Sequence, residues 1–241
     1  MTLRSRHRLP AWCALALIFA LGWAGPAKAT EVDLELVLAV DASGSVDPEE
    51  YALQLGGIAT AFRDRAIQDA IASGPLKRIA VNLLVWAEPR QPKDETGWFV
   101  LSTPAEAEVF ANLVQALPRT QNGATGLGEG IAAAIRTITG NGLKSRRRVI
   151  DVSGDGIEAV PGGLVLEVSE ARAMAIANGV TINGLAIETE VYDLLGFYRD
   201  NMRTGPGSFV ISVRTYEDFA TGIRRKLLRE IEYRPEISLN R

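Results

Sequence analysis

Three oxygen-bearing side chains sit at alternate positions where an apolar run ends: Asp41, Ser43 and Ser45 in "LVLAVDASGSVDPEEY". In extended backbone alternate residues point the same way, so these three oxygens share a direction. A second carboxylate, Asp155 in "DVSGDG", follows another apolar run, and the hydroxyl of Thr125 stands in "NGATGLGEGI" just before a helical segment. Carboxylates with hydroxyls and no softer donor suit a hard divalent cation, Mg²⁺, Ca²⁺ or Mn²⁺. Gly44, Gly154 and Gly156 beside them permit tight turns and close backbone approach. Glu129, one helical turn beyond Thr125, reads as a solvated first-turn acid, and Asp47, placed before Pro48, as a helix cap.

The rest of the composition narrows the chemistry. The chain of 241 residues opens with the basic "RSRHR", a short apolar stretch "AWCALALIFALGWA" and the small-x-small "AKA". That order predicts a secretory signal peptide over residues 1–29, cleaved near Ala29, and hence a periplasmic or secreted protein. The apolar stretch is shorter than the ~20 residues of a spanning helix. With the signal go the one histidine, His7, and the one cysteine, Cys13. A histidine base, a Ser-His-Asp triad and thiolate sites are thereby excluded from residues 30–241. Without Arg4, Arg6, Arg8 and Lys28, 22 of the 26 basic residues remain against 29 acidic ones, a formal charge of −7. That balance argues against a nucleic-acid partner.

Strand-like and helix-like segments alternate across residues 30–241, which read as one domain. The strands are expected at 34–40, 78–86, 97–102, 147–153, 180–187 and 208–213, the third as an edge strand after a turn-rich stretch. Helices are expected over 47–71 as one continuous element, at 103–117, after Gly126, at 169–179, and over 215–231, the last started by Thr215 and Asp218 in capping-box spacing. The alternation implies right-handed crossovers. The expected fold is a doubly wound, Rossmann-like α/β domain: a mostly parallel six-stranded sheet with one antiparallel edge strand and helices on both faces. Ligands in such sheets bind outside the carboxyl ends of the strands, where Asp41 and Asp155 would converge. Trp86 and Trp98 are expected to pack under the sheet edge. The "RRR" at 146–148 and the basic side of the last helix (Arg224, Arg225, Lys226, Arg229) read as solvated, which disfavours a membrane-surface role.

On these residues the sequence resembles the von Willebrand factor type A (vWA) domains. "DASGS" matches the D-x-S-x-S motif of their metal-ion-dependent adhesion site (MIDAS), Thr125 the family's loop threonine, and Asp155 its loop aspartate, with Gly154 where the family usually has threonine. The resemblance covers nearly all of residues 30–241 and extends to exported bacterial proteins with this domain alone. It implies that Asp41, Ser43, Ser45 and Thr125 hold Mg²⁺ directly or through water and Asp155 through water. It also implies that a carboxylate from a protein partner completes the shell and that the domain is a binding module with no catalytic residues. The alternative is a metal-assisted phosphatase or hydrolase using Asp41 and Asp155.

Overall fold

The structure, a computed structural model, describes residues 29–160 and 165–232; all of the expected signal segment except Ala29 lies outside them. Seven strands form one sheet: β1 (Glu35–Asp41), β2 (Ile79–Trp86), β3 (Asp94–Glu95), β4 (Phe99–Leu101), β5 (Arg148–Gly154), β6 (Thr181–Ile187) and β7 (Val210–Val213). Their order is β3-β2-β1-β5-β6-β7, with β4 also paired to β2. The pairs β1–β2, β1–β5, β5–β6 and β6–β7 are parallel. Every residue of β1 is buried. Leu36, Leu38 and Val40 enter the core on one face, and Val37 and Ala39 the core on the other. That alternation explains why the strand reads as a continuous apolar run.

The sequence counted one antiparallel edge strand; the structure divides that edge into β3 and β4. The pairs Leu84↔Glu95 and Val85↔Asp94 give way to Val81↔Phe99 and its successors with one extra residue on the edge side. The extra residue is a bulge. Gly97 adopts φ +74°, and the Thr96 hydroxyl accepts the Leu83 N–H at 3.0 Å, a bond the ladder would otherwise make.

Among the described residues seven helices pack on the sheet. On one face lie α1 (Pro48–Arg63), α2 (Arg65–Ala72), α3 (Pro104–Gln115) and α7 (Phe219–Ile231). On the other lie α4 (Leu127–Thr139), α5 (Val168–Ala177) and the short α6 (Leu194–Phe197), which continues into a π-helical turn at Tyr198–Met202. Capping boxes at Asp47/Glu50 and Thr103/Glu106 start α1 and α3 as their sequences specify. Asn178 and Gly179, the latter at φ +64°, end α5.

Four local expectations are corrected. The continuous helix over 47–71 is broken at Asp64, which leaves helical geometry (ψ 131°), accepts the Ala66 N–H at 2.7 Å to start α2, and is clasped by Arg224 of α7 at 2.7 Å. The Thr215–Asp218 capping box does not form; a 3₁₀ turn at Tyr216–Asp218 leads into α7, and Asp218 makes no side-chain cap. On α7, Arg224, Arg225 and Arg229 are exposed as expected, but Lys226 is fully buried against Asp151 and Glu230. Within the arginine run, Arg146 is exposed, while Arg147 donates to the Glu230 carbonyl and Arg148 lies 3.7 Å from the buried Glu35. Trp86 is fully buried and Trp98 packs against the same core, as expected. Among the described residues no helix is long and apolar enough to cross a membrane.

Candidate metal centre

Asp41 closes β1 and Asp155 follows β5, so the parallel pairing of these two strands brings the carboxylates to the same sheet end. A chain of contacts joins four of the five expected residues. Asp41 Oδ1 accepts the Ser43 N–H at 2.8 Å, the Ser43 and Ser45 hydroxyls are 3.4 Å apart, and Ser45 Oγ donates to Asp155 Oδ1 at 2.8 Å. Thr125 joins from the loop before α4. Its backbone pairs both ways with Ala159, and its side chain lies against Gly156, the methyl 3.2 Å and the hydroxyl 3.7 Å from where a Cβ there would stand. Asp41, Ser43 and Asp155 are buried, Thr125 is half-buried and Ser45 is exposed. Glu129 pairs with Arg136 at 3.4 Å, and Asp47 is committed to its cap, so neither joins the cluster.

Each carboxylate keeps one oxygen uncommitted. Asp41 Oδ2 and Asp155 Oδ2 are buried and have no hydrogen bond. Such groups are costly unless something compensates them. Burial pushes Asp41 up to about 7, the Asp155 charge adds to the rise, and the Ser43 N–H pulls the other way. Among the described residues no cationic side chain forms an ion pair with either acid. It does offer space: a Cβ at position 154 would come within 2.7 Å of Asp41 Oδ2, so only glycine fits where the related motif usually has threonine. Among the described residues no group of three or more His, Cys, Asp or Glu is placed to hold a metal ion. The donor set is thus two carboxylates with hydroxyls, which suits a hard, partly hydrated cation.

Several side chains that the sequence did not single out hold this loop cluster in place. One Arg119 nitrogen donates to the carbonyls of Ser43 at 3.1 Å, Ala42 at 3.3 Å and Val46, tying the whole Asp41–Val46 turn to the segment after α3. Gln54 Nε2 donates to the Asp41 carbonyl at 3.0 Å. Glu158 accepts the Gly128 N–H at 2.7 Å and so fastens the loop after β5 to the start of α4. Tyr198, fully buried, donates to the Gly156 carbonyl at 3.1 Å, and burial with the charges of Asp41 and Asp155 pushes its hydroxyl up. Burial and the same two charges, with the Asp155 side chain within reach of its hydroxyl, push Tyr216 up as well. Gln54 had a signal in the sequence, a polar residue on the apolar stripe of Tyr51, Leu55 and Ile58. Arg119 and the tyrosines had none, because their roles depend on contacts far along the chain.

The arrangement agrees with known folds. The pilus adhesin SpaC from Lactobacillus rhamnosus GG superposes with a TM-score of 0.59 at 11% identity over 83% of this chain and 31% of its own. Proximal thread matrix protein 1 from the mussel byssus, described with a zinc-occupied MIDAS motif, gives 0.57 at 12% over 83% of this chain and 48% of its own. The vWF domain of the type V pili tip protein Mfa5 from Porphyromonas gingivalis gives 0.52 at 11% over 86% and 98%. This chain therefore spans only about a third of the adhesin and half of the byssus protein. At such identities the likeness is one of fold. No curated protein matches the sequence. A family model described as "Protein of unknown function (DUF1194)" matches residues 31–235. The chain belongs to the DUF1194 family, and its mostly parallel sheet with helices on both faces has a vWA-like fold.

Proposed function

We propose that the protein is an exported, divalent-cation-dependent protein-binding module and not an enzyme. Asp41, Ser43, Ser45, Thr125 and Asp155 hold the ion, Mg²⁺ in the first instance, with Mn²⁺ and Ca²⁺ as alternatives. The observation that carries this reading is the pair of buried oxygens, Asp41 Oδ2 and Asp155 Oδ2, without a partner beside a glycine that leaves room. When bound, the ion offsets the two carboxylates and offers an open position that an acidic group of a partner protein fills in place of water.

The chain's own residues supply the rest. Ser43 and Ser45 add hydroxyl oxygens, and Ser45 keeps Asp155 in line through its 2.8 Å bond. Arg119 and Gln54 fix the backbone from which Asp41, Ser43 and Ser45 project. The fold shared with adhesion and matrix proteins, one with a zinc-occupied MIDAS motif, supports an interaction role. Export follows from the signal peptide read over residues 1–29, with residues 30–241 as the mature vWA-like domain.

Isothermal titration of the EDTA-treated protein with MgCl₂, MnCl₂ and CaCl₂ tests the ion. Saturable binding near one ion per chain, lost in Asp41→Ala, is the expected result. No binding of any of the three ions, or unchanged binding in Asp41→Ala, sinks the reading.

A further inference from the structure

At mid-sheet, away from the candidate metal centre, α7 lays two of its side chains on β5 and β6. Lys226 and Glu230 are one helical turn apart on α7, and Asp151 lies in β5 in register with Asn183 of β6. The three charged side chains are sealed from solvent, with Lys226 0% and Asp151 and Glu230 each 2% exposed. Lys226 Nζ touches Asp151 Oδ1 and donates to Glu230 Oε1 at 2.8 Å. Asn183 donates to the same Glu230 oxygen at 2.7 Å and is itself fixed by the Phe209 N–H at 2.9 Å. The Phe209 ring stands 5.6 Å from Nζ, and the apolar core containing Ile223, Leu227 and Val213 lies alongside.

As an ion-pair network this triad is poorly made. The Asp151 oxygens and Glu230 Oε2 find no well-aligned hydrogen bond, although Nζ lies against Asp151 Oδ1 and the two carboxyl groups face each other. One ammonium faces two carboxylates in a place water does not reach, an arrangement whose desolvation cost the attraction does not recover unless every oxygen is satisfied. Burial and the Asp151 charge push Glu230 up, which favours its protonated form next to Asp151. A buried amine in contact with a carboxyl group, and a protonated acid beside both, are the parts of an amide-forming site.

We propose that Lys226 and Asp151 become joined by an intramolecular isopeptide bond, formed by the folded chain with Glu230 carrying the protons. Nζ first passes a proton through Glu230 to Asp151, leaving a neutral amine against a neutral acid. The Nζ lone pair then attacks Asp151 Cγ, and the N–C bond forms. A second Nζ proton travels through Glu230 to the departing Asp151 oxygen, the Cγ–O bond breaks, and one water leaves. Nζ has lost two protons and Asp151 one oxygen, Glu230 ends as it began, and no oxidant, reductant or activating group is consumed. Bulk water would favour the separate ions. Here the amide removes two charges from a dry interior and expels the water that could reverse it. Asn183 is a positioning residue that holds Glu230 on its bond-forming side.

Mass spectrometry of the purified full chain decides the matter. The denatured protein should weigh one water less than its sequence between its observed termini. Trypsin should release residues 149–172 linked through Asp151 to residues 226–229, because an acylated Lys226 resists cleavage. Glu230→Gln should keep the full mass and release a free peptide beginning at Leu227. Asp151→Asn should form the same amide with loss of ammonia, which a structural ion pair would not do. Full mass in the wild-type protein with ready cleavage after Lys226 overturns the proposal, and a complete cross-link in Glu230→Gln overturns the role given to that residue. None of these readouts depends on metal binding.

Discussion

Asp41 must be charged to bind a cation, yet its surroundings oppose charge until the cation arrives. Asp155 faces it from the end of the next strand, where Ser45 donates to it at 2.8 Å. A group of this kind is tuned for a ligand and not for stability. Replacing Asp41 by alanine should therefore remove divalent binding while leaving the metal-free protein as stable as the wild type or more so, because one of two uncompensated acids is gone. Thermal unfolding in EDTA and in excess MgCl₂ measures both halves. Gly154 is the complementary case. An alanine there would bring its Cβ to 2.7 Å from Asp41 Oδ2 and 3.0 Å from the Tyr198 hydroxyl. Gly154→Ala should weaken Mg²⁺ binding at least tenfold by titration calorimetry, since the displaced oxygen is the one left for the ion. A wild-type affinity in that variant would show that Asp41 Oδ2 is not a ligand.

The elements are positioned by a few residues that serve two structures at once. Asp64 ends α1, starts α2 and binds Arg224 of α7. Asp64→Ala should cost about 1 kcal/mol from the lost cap, measured by urea unfolding. The ion pair adds a small acid-dependent part. Hydrogen bonding to Arg224 and the Ala66 N–H holds Asp64 below its ordinary 3.8, so the folded state binds its proton less readily than the unfolded one. That contribution is present above the ordinary value and lost as pH falls through the lower folded value. Because both side chains are partly exposed, that contribution is small. Asp64→Asn, which keeps a capping oxygen, should fall slightly below the wild type at neutral pH by urea unfolding, and the gap should close as pH falls below the carboxylate range. Arg119 is the other such residue. Arg119→Ala should loosen the turn Asp41–Val46 and weaken divalent binding about tenfold by titration calorimetry, since three carbonyls of that turn lose their donor.

For the whole molecule the candidate centre couples binding to stability. The two loops that carry its carboxylates follow β1 and β5, adjacent strands in the middle of the sheet. An ion bridging them binds the folded chain alone. At 100 times its dissociation constant such a ligand adds about 2.7 kcal/mol. For a domain of this size each kcal/mol raises Tm by about 2–4 °C. Differential scanning fluorimetry should thus show a rise of roughly 5–10 °C in MgCl₂ that EDTA reverses. A Tm indifferent to all three divalent ions would contradict the proposed centre.

Local rules were enough to read much of this protein. Helix caps at Asp47 and Thr103, the glycine stop after α5, the apolar strands and the D-x-S-x-S spacing each depend on neighbours a few residues away, so the sequence carried them directly. The parallel strand order followed from alternation and the handedness of crossovers, and with it the meeting of Asp41 and Asp155. Long-range contacts decided the rest. The break at Asp64 depends on Arg224, 160 positions later. The bulge at Thr96–Gly97 depends on register against β2. Lys226 sits in a basic run on an amphipathic helix and reads as solvated, yet α7 docks where Asp151 and Glu230 receive it. A charge is buried or exposed according to what lies across from it, and only the folded chain specifies that.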